Sequence, residues 1–150
     1  MRTIDTEIAI AAPASAVWRI LTTFADHARW NPFFESITGD LTVGARLVVS
    51  FRNGFTMKPR ITELHDGQSG DAGHVLEWLG SLGFRGIFDG RHRFEIVPTA
   101  TGCTLHHRER FTGILVPFTG RLLAETARGF EAFNAAIKTE AEGAWAKSAA

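Results

Sequence analysis

Residues 119–147 contain no proline and set Leu122, Phe130, Phe133, Ile137 and Ala141 on one helical face, with Arg121, Arg128, Glu131, Lys138 and Glu142 mostly elsewhere. That pattern reads as one amphipathic helix roughly 40 Å long, about the span of a whole small domain. A helix of this length must lay its apolar face against something equally long. The stretch from residue 33 to about 112 supplies it, as strand signals at Phe33–Thr38, Arg46–Arg52, Lys58–Leu64, His74–Gly80, Ile87–Val97 and Cys103–Thr112. Gly39-Asp40, Asn53-Gly54, the polar run 66–73, residues 81–86 and residues 99–102 punctuate them with turn chemistry. Connectors this short imply antiparallel pairing between consecutive strands.

Ahead of these strands, residues 3–11 alternate, with Ile4, Ile8 and Ile10 on one side and Asp5 and Glu7 on the other, which is a half-buried strand. Pro13 suits the first turn of a helix carrying Val17, Ile20, Leu21 and Phe24. A second short helix over Ala25–Arg29 stops at Trp30-Asn31-Pro32, because proline restricts the residue before it. The expected architecture is α+β: a curved antiparallel sheet of about seven strands wrapped around a long C-terminal helix, with two short helices after the first strand. At 150 residues the chain suits one domain, 1–150, with one core.

Charge and cysteine content narrow the function classes. Sixteen Lys and Arg balance sixteen Asp and Glu, so there is no basic surplus to hold nucleic acid or an anionic bilayer, and neither is expected as a partner. The single Cys103 excludes an internal disulfide and a Cys-rich metal site, and as the start of a strand it does not suit a nucleophile. His106 and His107 are neighbours on a strand and point to opposite faces, so they do not chelate one ion together. No Gly-x-Ser-x-Gly elbow and no phosphate loop followed by a helix occur. No cofactor and no metal are expected. The opening Met1-Arg2-Thr3-Ile4-Asp5 has no apolar run, so a cytoplasmic protein without membrane insertion is expected, as monomer or homodimer. Twelve Phe and four Trp with no Tyr leave much ring surface to bury and no phenol for acid–base work.

The sharpest reading concerns the last two strands. Phe88, Gly90, His92, Phe94 and Ile96 alternate against Asp89, Arg91, Arg93 and Glu95, and the apolar set takes His92 inward with it. Cys103, Leu105, His107, Glu109 and Phe111 alternate against Thr104, His106, Arg108 and Arg110. If the four residues 99–102 form the loop, His92 stands opposite Glu109 and Phe94 opposite His107, within reach of an ion pair or hydrogen bond. Glu109 would then orient His92, either to anchor the polar end of a ligand or to act as an acid–base pair. A structural pair, kept because two half-buried polar groups satisfy each other, is the competing account. Phe51 shares a face with Leu47 and Val49, and bulk favours Trp78 pointing inward. Outward Arg91, Arg93, Arg108 and Arg110 form a basic group interrupted by Asp89 and Glu95, better suited to a solvated sheet face than to docking.

The element order resembles the helix-grip fold of the Bet v 1-like and START-related superfamily, SRPBCC, over essentially the whole chain. Ile10-Ala11-Ala12-Pro13 before Val17-Trp18, then Trp30-Asn31-Pro32-Phe33, resembles its opening. Glu77-Trp78-Leu79-Gly80, Gly90-Arg91-His92-Arg93-Phe94 and Glu109-Arg110-Phe111-Thr112-Gly113 resemble its bacterial polyketide cyclase/dehydrase-like branch. The resemblance implies an apolar cavity between sheet and long helix. Phe130, Phe133 and Ile137 would line it from the helix, Trp30 would sit at its rim, and the inward strand residues Phe51, Trp78, Phe88, Phe94, His107 and Phe111 would complete it around His92 and Glu109. The expected function is binding or carriage of a small hydrophobic molecule that is lipid-, isoprenoid- or polyketide-like. A cyclase or dehydratase using the same pair, and a protein-interaction module like the chaperone ATPase activators of this fold, are the alternatives. One polar pair and no tyrosine favour binding over turnover.

Overall fold

The computed structural model describes residues 1–68 and 73–150. Among the described residues, eight strands and three α-helices are present, in the expected order apart from one short added strand, β4: β1 (Arg2–Ile10), α1 (Ala14–Thr22), α2 (His27–Trp30), β2 (Phe34–Thr38), β3 (Val48–Phe51), β4 (Thr56–Met57), β5 (Arg60–Asp66), β6 (His74–Ser81), β7 (Asp89–Thr99), β8 (Gly102–Thr112) and α3 (Gly120–Ser148). Pro13 stands one residue ahead of α1, and its carbonyl accepts hydrogen bonds from Ala16 and Val17. Helix α2 ends before Pro32, as the proline requires. The turn read across 66–73 falls in part outside the described residues.

The meander is present as β5–β6–β7–β8, each strand antiparallel to the next. Strand β1 pairs along its whole length with β8, giving the order β1-β8-β7-β6-β5. Strands β2, β3 and β4 form a smaller ladder. The two ladders are stitched where Arg46 bridges Arg60, Leu47 N–H donates to Pro59 and Ile61 N–H donates to Ala45. The β7–β8 turn is tighter than the four-residue loop expected: Thr99 pairs with Gly102, leaving two residues between them. The register is unaffected, because the extra pair simply extends the same ladder.

Helix α3, about 43 Å long for 29 residues, buries Phe130, Phe133, Asn134, Ile137 and Ala141. Leu122, assigned by periodicity to this face, is instead 44% exposed, while Leu123 packs inward against Phe111 and Val116. The core is two clusters. The larger holds Phe34, Leu76, Trp78, Phe94, Phe133 and Ile137, the smaller Ile4, Phe111, Val116 and Phe130, and Phe33 packs against both. No helix among the described residues is long and apolar enough to cross a membrane.

Candidate functional site

Strand parity builds the site. Gly90, His92 and Phe94 on β7, and His107, Glu109 and Phe111 on β8, are all buried. The ladder sets His92 opposite Glu109 and Phe94 opposite His107. His92 Nδ1 lies 3.3 Å from Glu109 Oε2. Glu109 Oε1 occupies the space that a Cβ at position 90 would need, so the absence of a side chain on Gly90 is what lets the carboxylate lie against β7.

The pair is one end of a longer chain. His92 Nε2 is 2.8 Å from His107 Nε2, and His107 Nδ1 is 2.9 Å from Asn134 Oδ1 on α3. Asn134 Nδ2 donates to Thr6 Oγ1 at 3.0 Å, and the Thr6 hydroxyl donates to the His107 carbonyl at 2.9 Å. Donor roles propagate from that far end. Thr6 spends its proton on the carbonyl and so accepts from the Asn134 amide. The Asn134 oxygen therefore faces His107 and takes its Nδ1–H. Burial, with His92 beside it, holds the His107 imidazole well below the usual histidine range, outweighing the Asn134 hydrogen bond, so His107 is neutral. Its Nε2 is left as an acceptor, and His92 must donate Nε2–H to it. His92 Nδ1, at the other edge of that ring, faces Glu109 Oε2 at 3.3 Å, and Glu109, 8% exposed, ends the chain.

Aromatic rings enclose the chain. Phe130 stacks on His107, Phe94 lies 4.5 Å from the same imidazole, and Phe133 meets it edge-on at 4.9 Å. His92 contacts Trp78 at 5.0 Å and Phe34 at 5.9 Å. The rings pack in contact with one another, so the interior is dense at this level.

Of the residues singled out from sequence, His92, His107, Glu109, Trp78, Phe94, Phe130 and Phe133 are thus brought together. Phe88 is half-buried just before β7 and packs on Phe111. Phe51 is one ring removed, against Phe33 and Phe34. Ile137 belongs to the larger core cluster. Trp30 packs on Phe133 at 5.5 Å, and its Nε1 is buried without a hydrogen-bond partner. Asn31 is spent on structure: its side chain accepts from the Phe33 and Phe34 amides and donates to His27 Nδ1. His27 Nε2–H in turn donates to Leu21 O, and burial lowers this imidazole too.

Thr6, Phe34 and Asn134 escaped the sequence reading. Thr6 has the parity of Ile4 and Ile8, and Asn134 is the single amide on the face of Phe130, Phe133 and Ile137. A polar residue in phase with an apolar face was the available signal. On the outer face, Arg91 and Arg93 reach Glu77 at 2.5 and 3.3 Å, and Arg108 reaches Asp5 at 2.9 Å. Burial pushes Glu77 upward, but Arg91, Thr62 and Arg93 outweigh it and hold the carboxyl below its usual range. Burial pushes the Cys103 thiol up to about 11, away from nucleophilic use. Among the described residues, no group of three or more His, Cys, Asp or Glu side chains is placed to hold a metal ion.

The family described as polyketide cyclase / dehydrase and lipid transport matches residues 1–142. The chain belongs to that family. Solved structures agree with this polyketide cyclase/dehydrase assignment at the level of fold. A protein from Thermobifida fusca is 25% identical, with 94% of this chain and 93% of that one covered at a TM-score of 0.71. The Zhui aromatase/cyclase from Streptomyces sp. R1128 is 21% identical, with 94% and 93% covered and a TM-score of 0.68. Ara h 8.0201 is 15% identical, with 93% and 97% covered and a TM-score of 0.69, which makes the fold Bet v 1-like. No curated protein sequence matches the chain.

Proposed function

We propose that this member of the polyketide cyclase/dehydrase and lipid transport family acts as one domain that binds a small hydrophobic molecule between the sheet and α3, its polar end on the His92–Glu109 pair. The observation that carries this is the chain Glu109–His92–His107–Asn134–Thr6 inside a ring-lined interior. Burying four polar side chains, and half-burying Thr6, among phenylalanines is unfavourable unless each is satisfied, and Glu109 alone ends on a contact that a ligand can share. Trp30 Nε1 offers an unpartnered donor in the same interior. Because the rings are in contact, the ligand enters by displacing them, with Phe130 and Phe133 the rings that α3 can move. The preferred head is a neutral oxygen, a hydroxyl or carbonyl of a lipid-, isoprenoid- or polyketide-like compound. A carboxylate would meet Glu109 in a dry site holding no free cation. The proposed setting is the cytoplasm, in keeping with a lone buried thiol.

Acid–base turnover is a second reading. His92 Nδ1 and the Glu109 carboxylate, 3.3 Å apart, are placed to exchange a proton with a ligand carbonyl, as cyclisation or dehydration would require. Surface docking through the outward arginines has less support, since Glu63, Glu77 and Asp5 neutralise Arg91, Arg93 and Arg108.

Native mass spectrometry of freshly purified protein, with organic extraction of what it carries, tests binding. A discrete adduct lost on denaturation and diminished in Glu109→Gln and His92→Ala is expected. An apo mass that stays unshifted with farnesol, dodecanol and a methyl ketone of similar length would contradict the proposal.

A further inference from the structure

Strand register also decides what lies back to back with His92. Arg91 precedes it and points to the outer face, with Leu79 of β6 opposite. Leu79 in turn stands opposite Arg60 of β5, and Arg60 is bridged to Arg46. On the other side Arg91 is directly opposite Arg110 of β8. One row across the sheet therefore reads Arg46, Arg60, Leu79, Arg91, Arg110, with like charges facing each other twice. Directly opposed like charges destabilise a sheet. In the next outward row Arg93 also faces Arg108, but there Glu63, Glu77 and Asp5 lie within ion-pair distance. The first row has little such relief: Arg91 reaches Glu77, Arg60 donates to the Gly44 carbonyl, and Arg46 has no carboxylate in ion-pair range among the described residues.

Four members of this row, Arg46, Arg60, Leu79 and Arg91, line a surface groove of about 560 Å³, within the size range of small-molecule sites. Lys58 and Arg85 add two more cations to its wall, neither paired with a carboxylate among the described residues, and no acidic side chain lines it. The Phe84 ring, 82% exposed, and Leu79 give it an apolar edge, and Thr62 and Ser81 supply hydroxyls. Neighbouring strands are about 4.8 Å apart, so Arg46, Arg60 and Arg91 span more than one phosphate group. Planar guanidinium forks suit phosphate oxygens.

We infer that this outer groove is a second ligand site, for an organic diphosphate whose phosphates lie on Arg46, Lys58, Arg60 and Arg85 and whose flat or apolar part covers Phe84, Arg91 being already paired with Glu77. The inference is independent of the interior site, which lies across the sheet and shares none of these side chains.

Calorimetric titration with inorganic phosphate, pyrophosphate and ADP tests it. ADP and pyrophosphate are expected to bind saturably, ADP the tighter through Phe84 and phosphate the weakest. The triple variant Arg46→Gln/Lys58→Gln/Arg85→Gln, all at exposed positions, is expected to weaken ADP at least about tenfold, while Arg128→Gln on exposed α3 leaves it unchanged. Absence of saturable binding of either diphosphate overturns the inference, as does an ADP affinity that the triple variant leaves intact. Co-sedimentation with phosphatidic acid vesicles, lost in the triple variant, would assign the same phosphate groove to a lipid headgroup if ADP competes for it. Vesicle binding that ADP does not displace would overturn it.

Discussion

His107 and Phe130 lie face to face, with ring centroids 3.7 Å apart and planes 9° from parallel. The imidazole comes from β8 and the phenyl from α3, so the helix covers the middle of the polar chain with a ring. Asn134, one turn further along the same helix face, holds the other edge of that imidazole. Helix position and protonation of the chain are thereby coupled.

Acid should loosen the fold before carboxylates titrate. His107 and His27 are both held below the ordinary histidine value of 6.5 by burial. Stability from their neutral forms is full above 6.5 and is lost as pH falls from there toward the lowered native values, because the unfolded chain takes up protons first. Denaturant midpoints are expected to fall between about pH 7.5 and pH 5.5. The lowered carboxyls of Glu77 and Glu142 add their own loss only below the ordinary glutamate value of 4.5. A midpoint that is flat or rising across the upper interval would refute neutral burial of the histidines.

Replacing Asn134 by Ala leaves the His107 Nδ1–H buried without an acceptor. The expected loss is about 1–3 kcal/mol in chemical denaturation. A neutral substitution would mean that the amide is not needed to satisfy His107.

Gly90→Ala places a methyl group where the Glu109 carboxylate lies. Glu109 must swing away, while the His92–His107 hydrogen bond has no reason to break. The variant is expected to fold and to lose ligand affinity by about the amount of a charged hydrogen bond, tenfold or more. Affinity equal to wild type would show that Glu109 does not meet the ligand.

Head-group choice gives a test on the unmodified protein. Dodecanol is expected to bind more tightly than dodecanoic acid near neutral pH, with the gap narrowing as the acid is protonated. The reverse order would place a cation, not Glu109, at the ligand's polar end.

Much of this was legible from residue order. Alternation on the last two strands fixed the inward parity of His92, His107 and Glu109, and turn length fixed His92 opposite Glu109, because a two-stranded ladder leaves no other freedom once its turn is set. The partner on α3 was harder. A 3.6-residue period is tolerant of one polar member, so Asn134 drew no attention although it sits in phase with Phe130 and Ile137. Leu122 went the other way: at the start of α3 the inward position is taken by Leu123, which packs against Phe111 and Val116, and Leu122 is turned outward. Arg46 and Arg60 fall in two consecutive expected strands, Arg46–Arg52 and Lys58–Leu64, but the register between those strands was not set, and so the arginine row was invisible before it was known.

The most direct test of the account is a nitrogen-detected NMR titration of histidine-labelled protein with farnesol. Before ligand, His107 should appear as the neutral Nδ1–H tautomer with its ring shifted by Phe130. On titration, His92 and His107 should move together and saturably as Phe130 withdraws and the ligand oxygen takes its place beside Glu109. Histidine signals that stay fixed at saturating farnesol, or a His107 protonated at neutral pH, would contradict the interior site.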